Sequence, residues 1–145
     1  MDVMFELDEI DASLETDDFR AALEKIRGVW MRIPEPKTET SNAYLVLEYA
    51  VACSLKLGDL DEAQRWASLA PAFAEKRQDR GEVEFLVGKV AYERGEFEIA
   101  RENFLIANTK SRGRIFRSQD KKYGLLIQSK GSESFSSPDF SSLKK

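Results

Sequence analysis

The sequence predicts an all-α chain: about three helix–turn–helix units stacked as a short solenoid and closed by a C-terminal capping helix. Three observations carry this. In "GEFEIARENFLIAN", Phe97, Ala100, Phe104 and Ala107 fall at i, i+3, i+7 and i+10, which puts them on one face of a helix. The same alternation of large side chains with alanine returns twice upstream, so that Ala22, Ala63 and Ala100 recur 41 and then 37 residues apart. Turn and breaker residues punctuate the helical runs at matching intervals.

The first unit spans about residues 3–34. A helical run over about Val3–Glu15 is followed by "DDFRAALEKIRGV", whose Phe19, Ala22, Ile26 and Val29 repeat the spacing, with Asp17 at the turn and Pro34 closing the unit. "IPEPKTETSN" has two prolines and no apolar periodicity, so it is a loop, and Ser41 or Asn42 is an N-cap candidate for the next helix. The second unit covers about 43–78: a helix over Ala43–Leu57, a turn at Gly58, then Leu60, Ala63, Ala67 and Ala70. Pro71 should end or kink that helix near Ala70. After "AEKRQDRGE", the third unit covers about 82–109, with a helix over Glu82–Arg94 and the turn at Gly95.

Stacked hairpins leave a final apolar face that needs a cover. Ile115, Phe116, Tyr123, Leu126 and Ile127 make an apolar stripe suited to a capping helix over about 118–129. Residues 130–145 are Ser-rich with Gly and Pro and read as a flexible tail, with Phe135 and Phe140 its only large anchors.

The pattern resembles the tetratricopeptide repeat, whose signature is a first-helix Gly, a turn Gly, an aromatic, an Ala, an aromatic, an Ala and a closing Pro. Gly88, Gly95, Phe97, Ala100, Phe104 and Ala107 fit best; the second unit keeps Gly58, Ala63 and Ala70 but has Val51 at the first-helix Gly position. The resemblance covers about residues 3–109, and its spacing of 37–41 exceeds the usual ~34 residues. Alanine at a helix crossing lets backbones approach while aromatics a turn away fill the hollow.

Charge is unevenly spread. The chain carries a net −4, yet residues 1–24 hold nine acids against Arg20 alone, and residues 110–122 hold six bases against Asp120. Such an asymmetry points to charged partners, or to a pair of solvated faces. The chain has no histidine and one cysteine, Cys53, inside the apolar run "YAVACSLKL" and read as a buried, inert thiol. Without histidine, Ser–His and Cys–His nucleophiles are excluded, and zinc or transition-metal sites are disfavoured. "GKVAYERG" lacks the spacing and terminal Lys-Ser/Thr of a phosphate loop. The expectation is a non-enzymatic protein with no cofactor. "MDVMFELDEI" carries no secretion signal and no stretch has the apolar length of a membrane span, which predicts a cytoplasmic location and no membrane partner.

Function is then expected on a surface. The resemblance implies a concave groove lined by the first helix of each pair, which would offer Leu45, Glu48, Tyr49, Ala52 and Lys56, then Glu82, Phe85, Leu86, Lys89, Tyr92 and Glu93. Aromatic and charged groups so mixed suit a protein or an extended peptide. The Lys/Asn clamp with which some tetratricopeptide proteins hold chaperone C-termini is missing, since Glu48, Ala52 and Leu86 stand there. "EFLVGKVAYERGEFEIARENFLIAN" followed by "GRIFRSQDKKYGLLI" is also similar to small bacterial tetratricopeptide-like immunity proteins of polymorphic toxin systems. Gly88, Lys89, Gly95, Ala100, Phe104, Ala107, Gly113, Arg114, Phe116, Asp120, Lys121 and Tyr123 carry that similarity. It implies binding to a cognate toxin domain and occlusion of its active site. An acidic patch at Glu6, Asp8, Glu9 and Asp11 would complement a basic toxin surface. The alternative is a general adaptor or secretion chaperone. Nucleic acid is not expected, because Phe116 and Tyr123 in the basic stretch are better used as cap core and the overall charge is negative.

Overall fold

A computed structural model of the chain describes residues 2–77 and 79–128. It is all-helical, with no strand among the described residues. Eight α-helices follow in order: α1 (Met4–Glu15), α2 (Phe19–Arg32), α3 (Ala43–Lys56), α4 (Leu60–Ala67), the one-turn α5 (Ala74–Arg77), α6 (Glu82–Glu93), α7 (Phe97–Ser111) and α8 (Lys121–Gln128). Short 3-10 turns lie at Lys37–Glu39, Ala70–Phe73 and Arg114–Phe116.

Three of the connections are the same turn built three times. Asp17, Gly58 and Gly95 all adopt left-handed backbone, with φ of 58°, 77° and 83°. In each, the following residue donates its N–H back across the helix end: Asp18 to Ser13 O at 3.0 Å, Asp59 to Ser54 O at 2.9 Å and Glu96 to Ala91 O at 2.8 Å. This satisfies carbonyls that the helix leaves without partners. The same residue then begins the next helix. Asp18 accepts from the Ala21 N–H and Asp59 from the Glu62 N–H, both at 3.1 Å, whereas Glu96 makes no such bond. A carboxylate one methylene longer does not fit the short Asx loop that favours Asp at this position.

The other joints differ from expectation in instructive ways. Asn42 precedes α3, but its backbone is left-handed (φ 67°) and its side chain caps nothing; its amide instead points at the Met4 sulfur, 3.2 Å away. α4 stops at Ala67, four residues before Pro71, because proline lacks the N–H that would bond the Ala67 carbonyl and its ring would collide there. α8 begins at Lys121 rather than 118, since Asp120 holds the Lys122 N–H at 3.0 Å and so fixes the start.

The helices bury two cores. Pairs α1–α2 and α3–α4 share the larger one, and α6 adds Val83, Leu86 and Val90 to it. α6 turns Phe85 and Ala91 the other way, into a second core with Ala100, Phe104, Ala107 and Tyr123. Ile115, Phe116, Leu126 and Ile127 pack against that core, as the apolar stripe predicted. α2 lies against α3 and α4 against α6, so each second helix supports the first helix of the next pair. Phe97 departs from its expected role: it is 40% exposed and packs edge-on to Tyr92, because it sits at the first position of α7 where the helix has only begun to approach its partner.

Side-chain size differs from pair to pair at one register. Positions 16 residues apart are Ile10 and Ile26 in the first pair, Val51 and Ala67 in the second, and Gly88 and Phe104 in the third. All but Gly88 and Ala67 are completely buried, and Ala67 is 2% exposed. At the third pair a β-carbon on Gly88 would stand 2.7 Å from the Phe104 ring and 3.2 Å from the Ala100 carbonyl oxygen. Glycine is required there by a close approach. The first-pair repeat positions Phe19 and Ala22, and Ala63 in the second, pack into the larger core as expected. The tail assigned to residues 130–145 lies outside the described residues.

Candidate protein-binding face

The first helices α1, α3 and α6 sit in sequence, α1 joined to α3 by the Tyr49 hydroxyl, which donates to Asp11 Oδ1 at 2.8 Å. Burial, reinforced by that bond, pushes the Tyr49 phenol up to about 12. Leu45 is half-buried against the larger core. Lys56 is exposed, with its ammonium 5.9 Å from the centre of the Phe19 ring. Burial lowers the pKa of Lys89, against the opposing pull of the Glu48 and Glu93 carboxylates. Lys89 thus links α3 electrostatically to α6, its ammonium 5.9 Å from the centre of the Phe85 ring.

At the far end of the face, the Tyr123 hydroxyl donates to Glu93 at 2.6 Å and Lys122 pairs with the same carboxylate at 2.8 Å. Burial works against the Glu93 charge, but these two donors outweigh it and hold the carboxyl below its ordinary value. Tyr92 stacks edge-on to Tyr123 and lies under the Lys122 ammonium, 5.4 Å from the ring centre. Held this way, the side chains have little rotamer freedom left to lose.

Two groups of predicted residues are placed elsewhere. Phe85 is 4% exposed: rings of Phe104, Phe116 and Tyr123 surround it within 5.8 Å, because α8 folds over it. It belongs to the core and offers a partner nothing. Leu86, 5% exposed, does the same for the larger core. Glu82 serves its own helix end, accepting the Arg80 N–H at 2.9 Å. The acidic patch is divided. Glu6 faces Arg32 on α2 at 3.5 Å and Asp11 is engaged by Tyr49, which leaves Asp8 and Glu9 open to solvent. Helical spacing sets Glu6 beside Glu9 and Asp8 beside Asp11, two i, i+3 pairs that point different ways, so the four do not form one face.

Sequence reasoning missed Lys122 as a member of this face, since only the placement of α8 brings it to Glu93. It also missed the bridge between second helices. Arg27 bonds Glu62 through Nε at 3.1 Å and through a second guanidinium nitrogen, and the Trp66 indole donates to the same carboxylate at 3.1 Å. Trp30 meets Trp66 edge-on, 5.4 Å between centres. A small cleft of about 260 Å³ opens at the start of α3, lined by Thr38, Thr40, Asn42, Tyr44, Leu45, Glu48 and Phe73.

No family model, no curated protein and no solved structure matches this chain. Among the described residues no helix is long and apolar enough to cross a membrane.

Proposed function

We propose that the chain is a protein-binding module, its hairpins stacked in the manner of tetratricopeptide repeats, and that it acts as an immunity protein by covering the active site of a cognate toxin domain. The observation that supports this reading is the face of Tyr49, Lys89, Tyr92 and Glu93, half-buried aromatic and charged groups, of which Asp11 holds Tyr49 while Lys122 and Tyr123 hold Tyr92 and Glu93. Rigid aromatic side chains beside fixed charges are what protein interfaces use as anchors. Asp8 and Glu9, open on α1, would add attraction for a basic partner surface.

The test is purification of tagged protein from its native host, identification of what co-elutes, and expression of each partner alone in a neutral bacterium. One stoichiometric partner that kills alone and is harmless when this chain is co-expressed supports immunity. Several substoichiometric partners, none of them toxic, would replace it with an adaptor role.

A further inference from the structure

The loop between α2 and α3 is held as a wall. Two prolines keep "IPEPKTETSN" out of either helix. The Lys37 ammonium fastens it to the end of α2, donating to the Trp30 and Ile33 carbonyls at 3.0 and 2.7 Å. Thr38, Thr40 and Asn42 of this wall line the cleft together with Leu45 and Glu48 of α3 and Phe73 of the turn after α4. The Phe73 ring is itself packed, 5.6 Å from Tyr44 and 6.3 Å from Trp30 between centres. A cleft built this way needs little ordering before it binds. Its volume of about 260 Å³ lies between the ~150 Å³ that takes a benzene ring and the ~300 Å³ at which pockets for whole small-molecule ligands begin. That is room for one long side chain.

The lining selects the charge of the guest. Glu48 brings a carboxylate, whereas the cation of the loop, Lys37, is turned to backbone carbonyls and to Glu35 at 3.3 Å. Lys89 also feels the Glu48 charge but stands outside the lining. An anion would therefore meet repulsion, and a hydrocarbon group would strip water from Glu48, Thr38 and Thr40 without replacing its hydrogen bonds. A metal ion would find too few ligands, since among the described residues no three acidic, cysteine or histidine side chains converge. A guanidinium suits the lining: it is flat, lies well against rings, and offers a carboxylate and several neutral oxygens more donors than an ammonium does. We propose that this cleft receives one arginine side chain of the protein partner, its guanidinium on the Glu48 carboxylate and its stem against Leu45 and Phe73. The inference rests on the protein-binding reading and gives it a contact, because Leu45, Glu48 and Tyr49 follow at i, i+3 and i+4 on one side of α3.

Amide NMR spectra of the full chain, titrated with N-acetyl-arginine N-methylamide, test this. Saturable shifts are expected among residues 38–48, with a Kd of ~1 mM because one side chain carries little binding energy. The citrulline analogue, equal in shape but neutral, should bind at least ~10-fold more weakly, and Glu48→Gln should weaken the arginine analogue as much. Asp8→Asn with Glu9→Asn removes more charge elsewhere and should leave the affinity unchanged. Should Glu48→Gln fail to fold, the citrulline comparison decides on the unaltered chain. The proposal is overturned if citrulline binds equally well, if no saturable shift appears among residues 38–48, or if the Asp8 and Glu9 variant loses as much as Glu48→Gln. It is equally overturned if the lysine analogue binds more tightly, or if free arginine outbinds the capped form, which would make the guest a small molecule. None of these probes involves a toxin. Their failure leaves the immunity reading to its own test, and a set of harmless partners in that test leaves the cleft standing.

Discussion

The Phe104 ring fills the space that any side chain at Gly88 would need, at 2.7 Å from the position of a β-carbon. Phe104 is fully buried among Phe85, Phe116 and Tyr123 and has no room to withdraw. Gly88→Ala, stabilising on an open helix, should here destabilise by about 1–3 kcal/mol. Thermal melting checks it, and Phe104→Leu should recover part of the loss when combined with it.

The three equal turns make a second prediction. Asp17 holds a left-handed φ of 58° where the other hairpins use glycine. Asp17→Gly should stabilise the chain by about 1 kcal/mol, and Gly58→Ala or Gly95→Ala should cost about as much. Denaturant midpoints measured side by side would reveal both signs.

Acid should unfold the protein through its bonded carboxylates. Bonds from Arg27, working against burial, hold Glu62 below its ordinary 4.5. Burial opposes the Asp79 charge too, but the Val83 N–H and Lys110 help bring it down from 3.8 to about 2. Folded values below unfolded ones give stability that is full above pH 4.5 and is lost as pH falls toward 2. Glu62→Gln should flatten the upper part of that decline and cost about 1–3 kcal/mol at neutral pH.

Alkali acts through the phenols. Tyr49 is pushed from 10.0 up to about 12, and Tyr92 and Tyr123 are also raised, in each case chiefly by burial. A raised folded value means stability that is complete below pH 10 and is lost as pH rises through about 12. Ultraviolet difference spectroscopy should show phenolate appearing late and together with unfolding. Phenolates that form near pH 10 while helicity persists would contradict this.

On the proposed immunity role, Asp8→Lys with Glu9→Lys should slow association with the basic partner that role requires and leave the melting temperature in place, as both side chains are exposed. An unchanged association rate would remove the acidic helix from the interface. Reversing Glu6 or Asp11 is a poorer probe, since Arg32 and Tyr49 depend on them.

The helical plan was legible because it rests on local chemistry: Gly58 and Gly95 announce their turns, Pro71 its break, and Ile115 through Ile127 a covering stripe. The candidate face was legible only in part. α6 is sandwiched, giving Val83 and Leu86 to one core and Phe85 to the other, so apolar periodicity alone cannot tell its partner side from its core side. Asn42 and Asp11 failed for a related reason. What they bond depends on Met4 and Tyr49, 38 residues away, and no short window contains both members of either contact.

The different side-chain sizes along the 16-residue register give each hairpin its own key. A chimera in which α7 followed α3 would bring the Phe104 ring toward Val51, where no glycine makes room, and α4 following α6 would set Ala67 opposite Gly88 and leave a void. The repeats look alike in outline, yet they are not interchangeable parts. Such lettering lets a chain of similar helices reject its own shuffled pairings while it folds.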